Sequence, residues 1–321
     1  MKRFQLTVAR AFAFALTLLA AAAAAAVLGG CDSGAAAGGD DDGGGGSDAR
    51  VGSDGGATPD AAVAYTEPGC PDPLAALSDL QAAYQNTTAG VRTAVLGIAD
   101  RRYPIGREFL VGQTDSELAR WFQSTATFGG VLDGFETAVH EGQHMWDIRM
   151  IDATGWPYRV RDDLVIKTRR LTNFARSEIL TLHADAANDQ YASVYLMGQS
   201  GTQGFNNLLD EYNAYTHSLA ARFCTRDAIP AGTRISARDG ILTMMYYVEL
   251  YLKAARTNHA ADYAAILADP EHRRLVLTIW DRAEFWLAKA GTVPSLGLRD
   301  AAIRTRVYEA ANKMEIDLLR Q

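Results

Sequence analysis

From Asp32 to Thr66 the chain has almost nothing to bury, and this confines folding to the residues beyond it. The stretch is Gly, Ala and Asp, purest at Asp40-Asp41-Asp42 and Gly43 to Gly46. Such a segment behaves as a flexible, self-repelling tether, with a reach of roughly 30–35 Å for its length. The foldable part is therefore residues 67–321, with the fold starting near Pro68. That part carries 27 basic against 31 acidic side chains, a net charge of −4. A nucleic-acid binder would show a basic face, so no nucleic-acid partner is expected. Five Trp, 13 Tyr and 11 Phe exclude a wholly disordered chain. No hydrophobic span lies beyond residue 30, so no internal membrane helix is expected.

The first 30 residues have the three-part layout of an export signal. Lys2, Arg3 and Arg10 make a basic start, and Ala11 to Leu28 runs apolar before Leu28-Gly29-Gly30-Cys31. That ending resembles the lipobox of bacterial lipoproteins. The resemblance implies that residues 1–30 are removed, that Cys31 is lipidated, and that 31–66 tethers an exported domain to a membrane. The alternative is an ordinary cleaved signal with an incidental Cys. If Cys31 takes lipid, Cys70 and Cys224 remain in an oxidising compartment, and a disulfide between them is the simple arithmetic. The alternative is two buried thiols.

The spacing of apolar residues predicts a mainly helical α+β domain. Helices are expected over 74–84, 115–122, 131–150, 205–223, 241–255, 271–288 and 298–319. Phe174 to Met197 reads as one or two more, and Gly198 to Gly204 as a loop. Thr114 or Asp115 should cap the second helix. Gln123 to Gly130 could hold an edge strand, and Trp156 to Lys167 alternates like a strand. Residues 226–321 read as a possible helical subdomain.

One pentapeptide carries chemistry: His140-Glu141-Gly142-Gln143-His144. Residues four apart share a helix face, so both imidazoles can reach one Zn²⁺ at about 2.0–2.1 Å. Glu141 points about 100° around the helix, where it can take a proton from water. Val131, Phe135, Ala138 and Met145 make an apolar stripe with Gly142. Thr137, His140, His144 and Asp147 make a polar one. Polar groups in a core helix are costly without partners, and a metal would supply one. With six His and twelve Glu, chance gives this pattern in roughly 0.4% of chains of this composition. Asp147, one turn beyond His144, is placed to orient an imidazole by hydrogen bond.

Here the chain resembles the zincin metallopeptidases. The resemblance implies a zincin-like catalytic domain over 67–321 that hydrolyses a peptide or protein substrate. His140 and His144 would be zinc ligands and Glu141 the general base. The metzincin branch would want Gly at Asp147 and His at Met150. The gluzincin branch takes a Glu from a second helix, and Glu211 in Leu209-Asp210-Glu211-Tyr212-Asn213-Ala214-Tyr215 fits best. Its helix would align Asn207, Glu211, Tyr215 and Ser218, offering a supporting amide and a phenol that could stabilise an oxyanion. Glu178, His183 and Asp185 are rival third ligands. His217, facing away from Glu211, and His259 and His272, in polar contexts, read as ordinary.

Two other classes stand beside this one: a non-catalytic cell-surface binding lipoprotein on a zincin-like scaffold, and an envelope protein with a closed structural metal. A di-iron bundle would need a second Glu-x-x-His, and the only near match, Asp269-x-x-His272, is broken by Pro270. Three Cys, one of them assigned to lipid, leave no thiolate zinc site.

Overall fold

The computed structural model describes residues 65–321. The export signal, Cys31 and the tether up to residue 64 lie outside the described residues. The described chain is mostly helical with one two-stranded sheet. Five helices are 15 residues or longer: α1 (Thr88–Arg102), α2 (Phe128–Arg149), α3 (Phe205–Cys224), α4 (Ala237–Asn258) and α5 (Pro270–Ala290). Strands β1 (Trp156–Arg161) and β2 (Leu164–Thr168) form an antiparallel hairpin with a bulge between Arg159 and Arg161.

Helix α3 is the axis of the fold. It packs against α2 on one side and against α4 and α5 on others, and β1 touches both α2 and α3. Sixteen of its side chains are buried, so it is enclosed on nearly every face. Helix α2 is capped by Thr127, whose side chain accepts the Gly130 N–H at 3.1 Å. Its residues from Ala138 to His144 are all buried. Gly142 makes this burial possible. A Cβ there would come within 2.9 Å of the Phe109 carbonyl oxygen and would crowd Gln113. Gln113 seals the contact, donating to Phe109 O at 3.1 Å and accepting from Trp121 Nε1 at 2.6 Å.

Several expectations need correction. The fold begins before Pro68: Glu67 is buried in an ion pair with Arg282 at 2.8 Å, and the Tyr65 ring packs edge-on against Phe285. Helix α1 and the helix Pro104–Val111 were not expected. The buried face of α1 relies partly on Ala94 and Ala99, which leave only a faint stripe. The first helix shrinks to Ser78–Ala83, preceded by a cis peptide bond between Asp72 and Pro73. Gln123 to Gly130 holds no strand and leads into the α2 cap.

Phe174 to Met197 forms only short helical pieces, 3₁₀ turns at Arg176–Thr181 and Ala186–Asn188 and one α-turn at Ala192–Tyr195, joined by loops. Polar side chains bond locally there and compete with helix formation. His183 pairs with Asp189 at 2.8 Å, and Asn188 with Asp185 at 2.5 Å. Gly198 to Gly204 contains a helical turn, Gly198–Gly201. Residues 298–319 are two helices, Asp300–Val307 and Ala310–Leu319.

The Thr114 cap is present as a full capping box with Glu117. Cys70 and Cys224 are joined in a disulfide, with Cα atoms 5.3 Å apart.

Candidate metal centre

Helices α2 and α3 cross where their polar faces meet. His140 and His144 come from α2 and Glu211 from α3. Their facing atoms form a small triangle: Nε2 to Nε2 is 3.1 Å, His144 Nε2 to Glu211 Oε2 is 3.4 Å, and His140 Nε2 to Glu211 Oε2 is 3.8 Å. Ligands bound tetrahedrally to zinc at 2.0–2.1 Å stand about 3.3–3.4 Å apart, so the triangle has the size of one tetrahedral face.

The hydrogen bonds behind the imidazoles fix what those atoms are. His144 Nδ1 lies 2.7 Å from Asp210 Oδ2, and His140 Nδ1 lies 2.9 Å from Ser218 Oγ. A carboxylate can only accept, so Nδ1 of His144 carries a proton, and in the neutral ring Nε2 is then the atom with the lone pair. The Ser218 hydroxyl can both donate and accept, and by accepting from His140 Nδ1 it allows the same tautomer there. Glu211 Oε2 is buried and has no hydrogen-bond partner among the described residues. Three electron-rich atoms thus face one point, an arrangement that a cation relieves. The donor set fits a zinc ion, and among the described residues no fourth His, Cys, Asp or Glu joins it.

The electrostatics point the same way. Burial, with His144 beside it, pulls His140 down to about 3. Burial also disfavours charge on His144, but Asp210 and Glu211 outweigh it and hold that imidazole well above its ordinary value. Burial alone would raise Glu211, yet His144 keeps it below the usual carboxylate range. The two carboxylates beside His144 therefore favour a positive charge on this side of the centre. Glu141, 2% exposed, is pushed up to about 8 by burial, with Glu211 and Asp210 adding to the push.

Asp147 does not orient an imidazole. It accepts from Gln143 Nε2 and from the Arg159 backbone N–H at 3.2 Å. Its own carboxyl is held well above the usual range by burial and by Asp210. Asp147 thus stands beside Asp210, the residue hydrogen-bonded to His144. The Tyr215 ring stands edge-to-face on His140 at 4.8 Å, and its hydroxyl meets that of Tyr195 at 2.7 Å. Asn207 is half-buried and makes none of the hydrogen bonds of this cluster. The rivals for third ligand are engaged elsewhere: Glu178 with His259 at 3.0 Å, His183 with Asp189, and Asp185 with Arg306 at 2.7 Å. His217 is fully buried between Tyr103 and the Arg159 carbonyl.

Sequence reasoning missed Asp210, the histidine partnership of Ser218, and Tyr195. The first was signalled only by its place beside Glu211. A cleft lined by Asp189, Tyr191, Asp239, Arg299 and Arg306 lies apart from the centre. Tyr191 links the two, with its ring 6.0 Å from Tyr215. Compared with protein-family models, with characterised proteins and with solved structures, the chain matches none.

Asp210→Asn should weaken zinc binding by about tenfold or more, since partners of this kind typically contribute 10–100-fold. Competition against a chelating indicator reads this directly. An affinity equal to the parent's would remove Asp210 from the role of orienting His144.

Proposed function

We propose that this protein is a zinc-dependent metallopeptidase of zincin type, held at the cell envelope by lipid on Cys31. The observation that carries the reading is the convergence of three lone-pair atoms at 3.1–3.8 Å with a buried glutamate next to the first histidine. His140, His144 and Glu211 would hold the metal. Bound there, zinc would supply Lewis acidity, polarising a carbonyl and lowering the pKa of a water.

The chain does the rest. Glu141 is adjacent to the first histidine and is not part of the triangle. As the carboxylate, which the charge of a bound cation would favour, it would take a proton from the attacking water and return it to the leaving amine. Asp210 favours the His144 tautomer that presents Nε2, and Ser218 can do the same for His140 by accepting from its Nδ1. Gln143 donates to Asp147, which lies beside Asp210. Gly142 lets α2 pack closely against Phe109 and Gln113, which seats this stretch of the helix. The lipid anchor is proposed from the pattern ending at Cys31, and it places the substrate, a peptide or protein, outside the cytoplasm.

Removal and return of metal test the reading. Casein hydrolysis should stop when a chelator strips the protein and resume with equimolar zinc. Hydrolysis that persists after the metal is gone would contradict it. Zinc retention with no hydrolysis of any peptide would favour a non-catalytic binding lipoprotein.

A further inference from the structure

Tyr215 is fixed from two sides. Its ring leans on His140 at 4.8 Å and 79°. On the opposite side, Gly240 of α4 leaves room for it, and a Cβ at that position would overlap the Tyr215 ring. Its hydroxyl, 2.7 Å from that of Tyr195, is the remaining polar contact. Tyr195 comes from the irregular segment before α3, and the Arg176 guanidinium stands 5.5 Å over its ring. Arg176 is fully buried, its Nε donates to Ser200 O at 2.9 Å, and its Nη1 has no hydrogen-bond partner among the described residues. A buried positive charge thus backs a pair of phenols that ends against a metal ligand.

We infer that Tyr195 is a positioning residue for Tyr215, and that the pair stabilises negative charge on the substrate's carbonyl oxygen. The inference rests on the metallopeptidase reading. A phenol has one proton and can also accept. When Tyr195 donates to the Tyr215 oxygen, the single proton of Tyr215 is turned away from Tyr195 and is left for the substrate. Each donated bond polarises the next, so Tyr195 makes Tyr215 a stronger donor. Growing charge on the carbonyl oxygen selects this direction, and the Arg176 field favours it further. No proton needs to transfer, so the device acts through hydrogen bonding alone.

Tyr195→Phe deletes only the hydroxyl and keeps the ring against Tyr191 and Arg176. The test uses the zinc-loaded protein with inorganic phosphate as a tetrahedral oxyanion, titrated by calorimetry, alongside casein turnover. Tyr195→Phe should keep the parent's zinc content and melting temperature. It should bind phosphate about fivefold or more weakly and lower kcat about tenfold at unchanged KM. Tyr195→Phe and Tyr215→Phe together should lose little more than Tyr215→Phe alone, because they act as one unit. Tyr191→Phe, whose parent hydroxyl reaches Ser236 O at 3.5 Å, should change neither readout. Unaltered phosphate binding in zinc-loaded Tyr195→Phe overturns the inference and leaves the metal centre standing. A parent that takes up no zinc overturns the metallopeptidase reading and the inference with it.

Discussion

On the proposed metallopeptidase reading, Glu141→Gln is expected to lower casein hydrolysis about a thousandfold while zinc content stays at the parent's. General-base catalysis by a positioned side chain contributes about 10²–10⁴. Glutamine keeps the size and polarity of the side chain but cannot hold the transferred proton. Glu141 lies outside the His140–His144–Glu211 triangle, so metal content should equal the parent's. The helix should also survive, because Gly142 and the Gln113 contacts that seat it are untouched. Zinc by mass spectrometry and hydrolysis on one preparation separate the two effects. Parent-like hydrolysis in the variant would assign proton transfer to another group.

The second large effect concerns the Cys70–Cys224 bridge. It joins residues 154 apart in sequence. On the chain-entropy account, closing such a loop stabilises by about 5 kcal/mol. For a domain of this size, losing it would lower the melting temperature by about 10–20 °C. Cys224 is the last residue of α3, the helix that carries Asp210, Glu211 and Ser218. Cys70 lies just after the buried Glu67–Arg282 pair, so the bridge fastens the start of the fold to the end of that helix. Cys70→Ser with Cys224→Ser should therefore show the lowered melting temperature. The parent should show no free thiol at Cys70 or Cys224 without reductant, and two titratable thiols there would contradict the bridge.

Much of the site could be read from the sequence because helices encode it locally. Val131, Phe135 and Ala138 mark the buried side of α2, and the four-residue spacing puts His140 and His144 together wherever that helix goes. Glu211, Tyr215 and Ser218 likewise share one face of α3. The identity of the carboxylate behind His144 could not be read this way. Asp147 has the right spacing on α2 but turns toward the backbone of β1. Asp210 reaches Nδ1 only because α3 crosses α2 where it does. Helical spacing says nothing about that crossing. Tyr195 sits in a segment whose apolar spacing suggested helix, while its polar side chains bond locally into turns. Small residues such as Ala94 and Ala99 hid α1, although their size suits close packing.

The central claim is that the triangle of Nε2, Nε2 and Oε2 binds zinc, and metal stoichiometry tests it most directly. The protein purified without added metal, and its His144→Ala variant, would be assayed for zinc per chain. One zinc per chain in the parent, lost in the variant, is the predicted result. No zinc in the parent even after zinc is supplied would contradict the claim and reduce His140-Glu-x-x-His144 to a coincidence of sequence.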